Sequence, residues 1–138
     1  MKGKRMFKKY TEMEVSQMPP LVWAYIGDSI FEIFIRNKMI ESGLPSNTKL
    51  HKMTTMYVKA SAQAKMYDFL INQLSEDEIT IAKRGRNANS NTIPKNASVI
   101  EYKKATALEA LLGYLYLTGN KARLEELLNF IYANFKIA

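Results

Sequence analysis

Two stretches of this chain are almost wholly apolar, and each carries a single carboxylate. Asp28 is the only charge between Val15 and Phe31, within PPLVWAYIGDSIF. Glu109 is the only charge between Ala105 and Asn120, within ATALEALLGYLYLTGN. A carboxylate in apolar surroundings loses hydration and needs a partner: a cation, a hydrogen-bond network or a metal ion. Each has a glycine nearby, Gly27 beside Asp28 and Gly113 one turn beyond Glu109. Glycine inside a helix costs roughly 0.5–1 kcal/mol relative to alanine, which makes sense where another backbone or a ligand must approach closely. Two helices crossing at these glycines would bring the carboxylates together, and one would take up a proton unless a cation sat between them. Magnesium or manganese suits such a pair, since both favour carboxylate and water oxygens and keep exchangeable waters. Water held beside phosphorus, with the ion screening the phosphate charge, is a route to phosphodiester hydrolysis. Buried salt bridges or capping roles for the two acids are the competing reading.

The elements that must position these residues are helical. Pro19 and Pro20 suit a helix start, where a missing amide hydrogen costs nothing. The run from Leu21 to about Glu41 reads as one long helix ended near Gly43 and Pro45. At about 100° per residue, Tyr25, Asp28, Ser29, Glu32 and Arg36 share one stripe. The rest of that helix is apolar or small, which predicts burial nearly all round and a place at the centre of the fold. Glu32 and Arg36, four apart, can pair at an exposed edge. Ser46 or Asn47 can cap a following amphipathic segment, Leu50–Leu74, read as one helix or two with a bend. Ser75 and Glu78 form a capping-box pattern opening a short helix through Ile79 and Ala82. RGRNANSNTIPKNASV, with four asparagines and no apolar period, reads as a loop. Helices follow from about Ile100 to Leu117, with Tyr102, Thr106, Glu109, Gly113 and Tyr116 on one face, and from Lys121 to Phe135. Strand signals are nearly absent, and the fold class is all-α. Residues 1–18 read as a basic tail or short leading helix, and residues 19–138 as one domain.

Composition narrows the chemistry further. The 138 residues include no cysteine, which excludes disulfides, thiolate metal sites and a cysteine nucleophile. His51 is the only histidine and reads as structural or surface; Ser29 lacks the partners of a nucleophile. No run approaches the length of a membrane span, and the expectation is a soluble cytoplasmic protein. The formal charge is +7, and the surplus is uneven. From Lys83 to Lys104 there are six basic residues (Lys83, Arg84, Arg86, Lys95, Lys103 and Lys104) against Glu101 alone. With Asn87, they could contact a nucleic-acid backbone and offset the repulsion between carboxylates and phosphate.

At YIGDSIFEIFIR (25–36) and EYKKATALEALLGYLYLTGN (101–120), joined by RGRNANSNTIPKNA, the chain resembles the ribonuclease III catalytic domain, and more closely its compact form, Mini-ribonuclease III. The likeness runs from Pro19 to Phe135. Gly27-Asp28 matches the family's Gly-Asp signature, and Glu109-Ala110-Leu111-Leu112-Gly113 matches the setting of its second catalytic acid. The resemblance implies a helical homodimer acting on double-stranded RNA. Each subunit would carry one magnesium-dependent site with Asp28 and Glu109 as catalytic and metal-holding acids. Cleavage would leave 5′-phosphate and 3′-hydroxyl ends. In the compact form the implied role is trimming the large ribosomal RNA (23S) precursor, with ribosomal protein as a further partner. Two further acids of full-length ribonuclease III fall here at Ala24 and Thr106, which leaves water, substrate phosphate, Glu32 or Thr106 as support. The separate double-stranded RNA-binding domain is also missing, so RNA binding is expected from the catalytic domain, chiefly residues 83–104. A catalytically silent RNA-binding or ribosome-associated helical protein is the alternative; a helical metalloprotein acting on small phosphorylated compounds is another.

Overall fold

The computed structural model describes residues 7–89, 98–135 and 137. Among them the chain is all-α. Helix α1 is Glu12–Ser16, α2 Pro20–Glu41, α3 Asn47–Val58 and α4 Ala60–Leu70; a 3-10 turn, Ile71–Gln73, leads to α5 Glu76–Arg86, α6 Val99–Leu117 and α7 Lys121–Asn134. Local chemistry accounts for most starts. Thr11 with Glu14 and Ser75 with Glu78 form complete capping boxes. Ser46, Ser98 and Asn120 each accept a backbone amide of the first turn they precede. Pro20 occupies the first position of α2.

The centre of the fold is α6. Ala105–Leu108, Ala110–Gly113 and Leu115 are all buried, because α2, α4 and α5 pack around this helix. This corrects the expectation that α2 lies buried nearly all round. One side of α2 (Trp23, Ala24, Gly27, Phe31, Ile35 and Met39) is buried, while Tyr25 is 80% and Ile33 61% exposed. Both helices are apolar over most of their circumference, so periodicity could not rank them. The segment 50–74 divides at Lys59, whose extended backbone (φ −66°, ψ 153°) separates α3 from α4. The RGR tripeptide expected in a loop belongs to α5. Cations in the last turn favour the helix C-terminus, and Gly85 lies against Ala110 and the Thr106 backbone, so tertiary contact holds this turn.

Helices α2 and α6 meet backbone to backbone. A Cβ built on Gly27 would collide with the Glu109 carbonyl, and one on Gly113 with the Trp23 carbonyl. The two glycines are therefore there for the approach, and their helix-propensity cost is secondary. Around the crossing, Trp23 is fully buried, meets Tyr114 edge-on at 5.0 Å, and donates from Nε1 to the Val15 carbonyl at 2.8 Å. That bond docks α1. Across the molecule Arg123 of α7 pairs with Glu78 of α5 at 2.8 Å and donates to the Gln73 carbonyl. Gly27→Ala should lower stability by about 3 kcal/mol, since overpacking against backbone outweighs the propensity gained. Urea unfolding of the two proteins measures this; an unchanged midpoint would contradict the close crossing.

Candidate active site

The crossing sets Asp28 and Glu109 side by side. Both line an open groove of about 460 Å³ between α2 and α6, with Leu21, Ala24, Tyr25, Ile26, Ser29, Tyr102 and Thr106 as its other walls. The carboxyl groups lie within hydrogen-bonding reach of one another. Glu109 is the more buried partner. Burial first, then the hydrogen bond to Asp28 and its negative charge, push the Glu109 carboxyl up to about 8, while Gln63 pulls the other way. Near neutrality Glu109 keeps its proton unless a cation takes that place.

The expected supporting residues lie differently. Glu32 is absent from the groove walls and pairs with Arg36 at 3.1 Å on the half-exposed edge of α2. Thr106 does line the groove, but its hydroxyl donates to the Tyr102 carbonyl at 2.9 Å. Ala24 offers only a methyl group there. Among the described residues no set of three or more acids and histidines is arranged to hold a metal. Two converging carboxylates still suit magnesium, which commonly takes one or two protein carboxylates and fills its other positions with water and substrate phosphate. Exposed His51 lies away from the groove, between α2 and α3.

The basic residues divide by task. Lys83, Arg86 and Asn87 at the end of α5, and Lys103 near the start of α6, are exposed. Arg84, also exposed, folds back onto the protein, donating to the Ser16 carbonyl at 3.2 Å and lying 4.6 Å over the Trp23 ring. Lys104 pairs with Asp68 of α4 at 2.8 Å. Lys95 falls outside the described residues. Sequence reasoning missed Gln63. This α4 amide is 2% exposed and reaches Glu109 Oε2 at 3.5 Å. Its signal was a polar side chain in register with the apolar stripe of Ala60, Ala64 and Tyr67.

Comparison with known proteins decides the family. The ribonuclease III domain pattern matches residues 21–120. A Clostridium tetani Mini-ribonuclease 3 is 45% identical over 125 residues, spanning 90% of this chain and 83% of that protein. This chain belongs to the Mini-ribonuclease III family. An Enterococcus faecalis Mini-ribonuclease 3 is likewise 45% identical, over 85% of this chain and 90% of its own length. A crystal structure of a Fusobacterium nucleatum protein superposes with a TM-score of 0.79 at 31% identity, covering 91% of this chain and 98% of that one. Family membership makes the chain a nuclease, and no described helix is long and apolar enough to cross a membrane.

The raised Glu109 carboxyl has a consequence for folding. Between about 4.5 and 8 the native state keeps a proton that the unfolded chain releases, so stability of the metal-free protein falls as pH rises through that window. The loss should be on the order of a few kcal/mol. Glu109→Gln, which cannot ionise, should flatten the profile and be the more stable protein at pH 8.5. Chemical denaturation in chelator at pH 5.5, 7 and 8.5 reads this directly, and parallel profiles would refute it.

Proposed function

We propose that this chain is a divalent-metal-dependent endoribonuclease that hydrolyses phosphodiesters in double-stranded RNA. Its substrate is the precursor of the large ribosomal RNA (23S), processed in the cytoplasm, with ribosomal protein as a further partner. The observation that carries this reading is the convergence of Asp28 and Glu109 in one open groove. Together the two side chains would hold Mg2+, with Mn2+ as a substitute. The ion supplies Lewis-acid polarisation of the phosphate and activation of water. Asp28 and Glu109 fix its place through α2 and α6, and the groove is open enough to admit a polymer strand. Lys83, Arg86, Asn87 and Lys103 offer exposed donors to the phosphates. An A-form duplex would be gripped by backbone and 2′-hydroxyl contacts more than by base edges. A silent RNA-binding protein would have no use for a repelling pair of acids at a phosphate-binding surface.

The active form is a homodimer. Along α2, Val22, Ile26, Ser29, Ile33, Arg36 and Ile40 alternate at spacings of four and three, the pattern of a helix–helix seam. Val22, Ile33 and Ile40 of this seam are exposed large apolar residues, which a soluble surface rarely arranges in a row. A two-fold pairing through this face would give two grooves, one for each RNA strand. Ile33→Glu should shift the protein from dimer to monomer in sedimentation velocity; a dimer retained by Ile33→Glu/Ile40→Glu would rule out this face.

Activity is tested by incubating the protein with a structured ribosomal RNA duplex, with and without magnesium. Asp28→Asn and Glu109→Gln should each cut cleavage by at least about a hundredfold, as expected when a metal-holding group is lost, with helical content unchanged. Neutralising Lys83, Arg86 and Lys103 together should weaken binding and flatten its salt dependence by somewhat under one log unit per lost phosphate contact. Cleavage that survives both acid substitutions would sink the roles assigned to them.

A further inference from the structure

We infer that Gln63 is a positioning residue for the Glu109 carboxylate, an inference that rests on the reading of Glu109 as a metal-holding acid. Gln63 is not one of the groove walls. It stands behind Glu109, on the α4 side, and is almost wholly buried. Its single amide nitrogen serves two acceptors from different parts of the chain. Nε2 donates to the Val58 carbonyl at 2.7 Å and to Glu109 Oε2 at 3.5 Å. The amide carries two hydrogens, so both acceptors can be served at once. The short bond to the α3 backbone fixes the amide and aims the second hydrogen at the carboxylate. The opposite flip would set Oε1 against the Val58 carbonyl, acceptor facing acceptor, so the orientation follows from the network.

Two features separate this role from simple packing. Gln63 Oε1 is buried with no hydrogen-bond partner among the described residues, a cost that an apolar side chain of equal length would avoid. The neighbours of Gln63 on α4 include buried Ala64, Met66 and Tyr67, so such a side chain would suit the site. Glu109, for its part, lies beside the Asp28 carboxylate, whose charge repels it when both are ionised. A flexible acid in that position swings away unless something holds it. An uncharged donor on one oxygen restrains it without competing for the ion as a third charged group would. Glu109 Oε2 is engaged from α4, which leaves the other oxygen for the groove. Outer-shell donors of this kind are general determinants of metal affinity and ligand orientation.

The test uses the full chain with Gln63→Met, which keeps length and removes the donor. Three quantities are measured together: thermal unfolding, Mn2+ binding to RNA-free protein by calorimetry, and single-turnover cleavage against magnesium concentration. RNA affinity is measured in calcium. Gln63→Met should weaken Mn2+ binding and slow the single-turnover rate at saturating RNA by about tenfold each, with RNA affinity within about twofold. A folded Gln63→Met with unchanged metal affinity and rate overturns the inference, as does a loss that appears only as a lower unfolding midpoint. Should Gln63→Met fail to fold, Gln63→Asn is measured the same way, its amide too short to reach both acceptors. Asp28→Asn is the reference. If it leaves Mn2+ binding intact, the metal reading itself fails and takes this inference with it. If Asp28→Asn weakens binding and the Gln63 variants do not, only the role of Gln63 is overturned.

Discussion

The contact between the α2 and α6 backbones at Gly27 and Gly113 is the constraint on which the site depends. Any side chain at either position would drive the helices apart, and the carboxylates with them. Carboxylates on well-separated helices would each find solvent; on helices in backbone contact they share one groove. The same approach buries Trp23 and the small residues Ala24, Ala105 and Ala110 into a tight seam. The placing of the two acids and the packing of the core therefore draw on one interaction, and a change that loosens the core also separates the acids.

Electrostatics follow from that geometry. Bringing two acids together in a half-dry groove raises the proton affinity of the more buried one and leaves a local demand for positive charge. The surrounding cations are sorted accordingly. Arg84 and Lys104 are committed to other elements of the fold, Arg84 to α1 and Trp23, Lys104 to Asp68. Lys83, Arg86 and Lys103 face solvent. A block of basic residues that looks uniform along the chain is thus part scaffold and part surface.

How far this was legible in the sequence depended on the range of the interactions. The capping box at Ser75 and the proline start of α2 act within four residues and can be read directly, whereas the box at Thr11, of the same range, went unread. The two isolated carboxylates with their glycines were also visible, because an acid and a helix-weakening residue in an apolar run are both costly and call for a reason. Their meeting was an inference from that cost, and the family motifs strengthened it. What could not be read were relations between elements. Both α2 and α6 are apolar over most of their circumference, so which one occupies the centre depends on what packs against each. The RGR turn looks like a loop by composition, yet Gly85 is held helical by Ala110. Gln63 looked like one more polar residue in an amphipathic segment; one of its partners is 46 residues away.

The docking of α1 ties a remote part of the chain to this centre. A helix of five residues cannot stand alone in water, so its structure is borrowed from Trp23 and Arg84. The loan runs both ways. Trp23 is clamped by the Val15 carbonyl on one edge and the Arg84 guanidinium on a face, while its own carbonyl lies against Gly113. A proteolytic nick or a fusion joint placed within Thr11–Gln17 would release that clamp. Its effect would be felt two helices away, as play in the joint that keeps the acids in register.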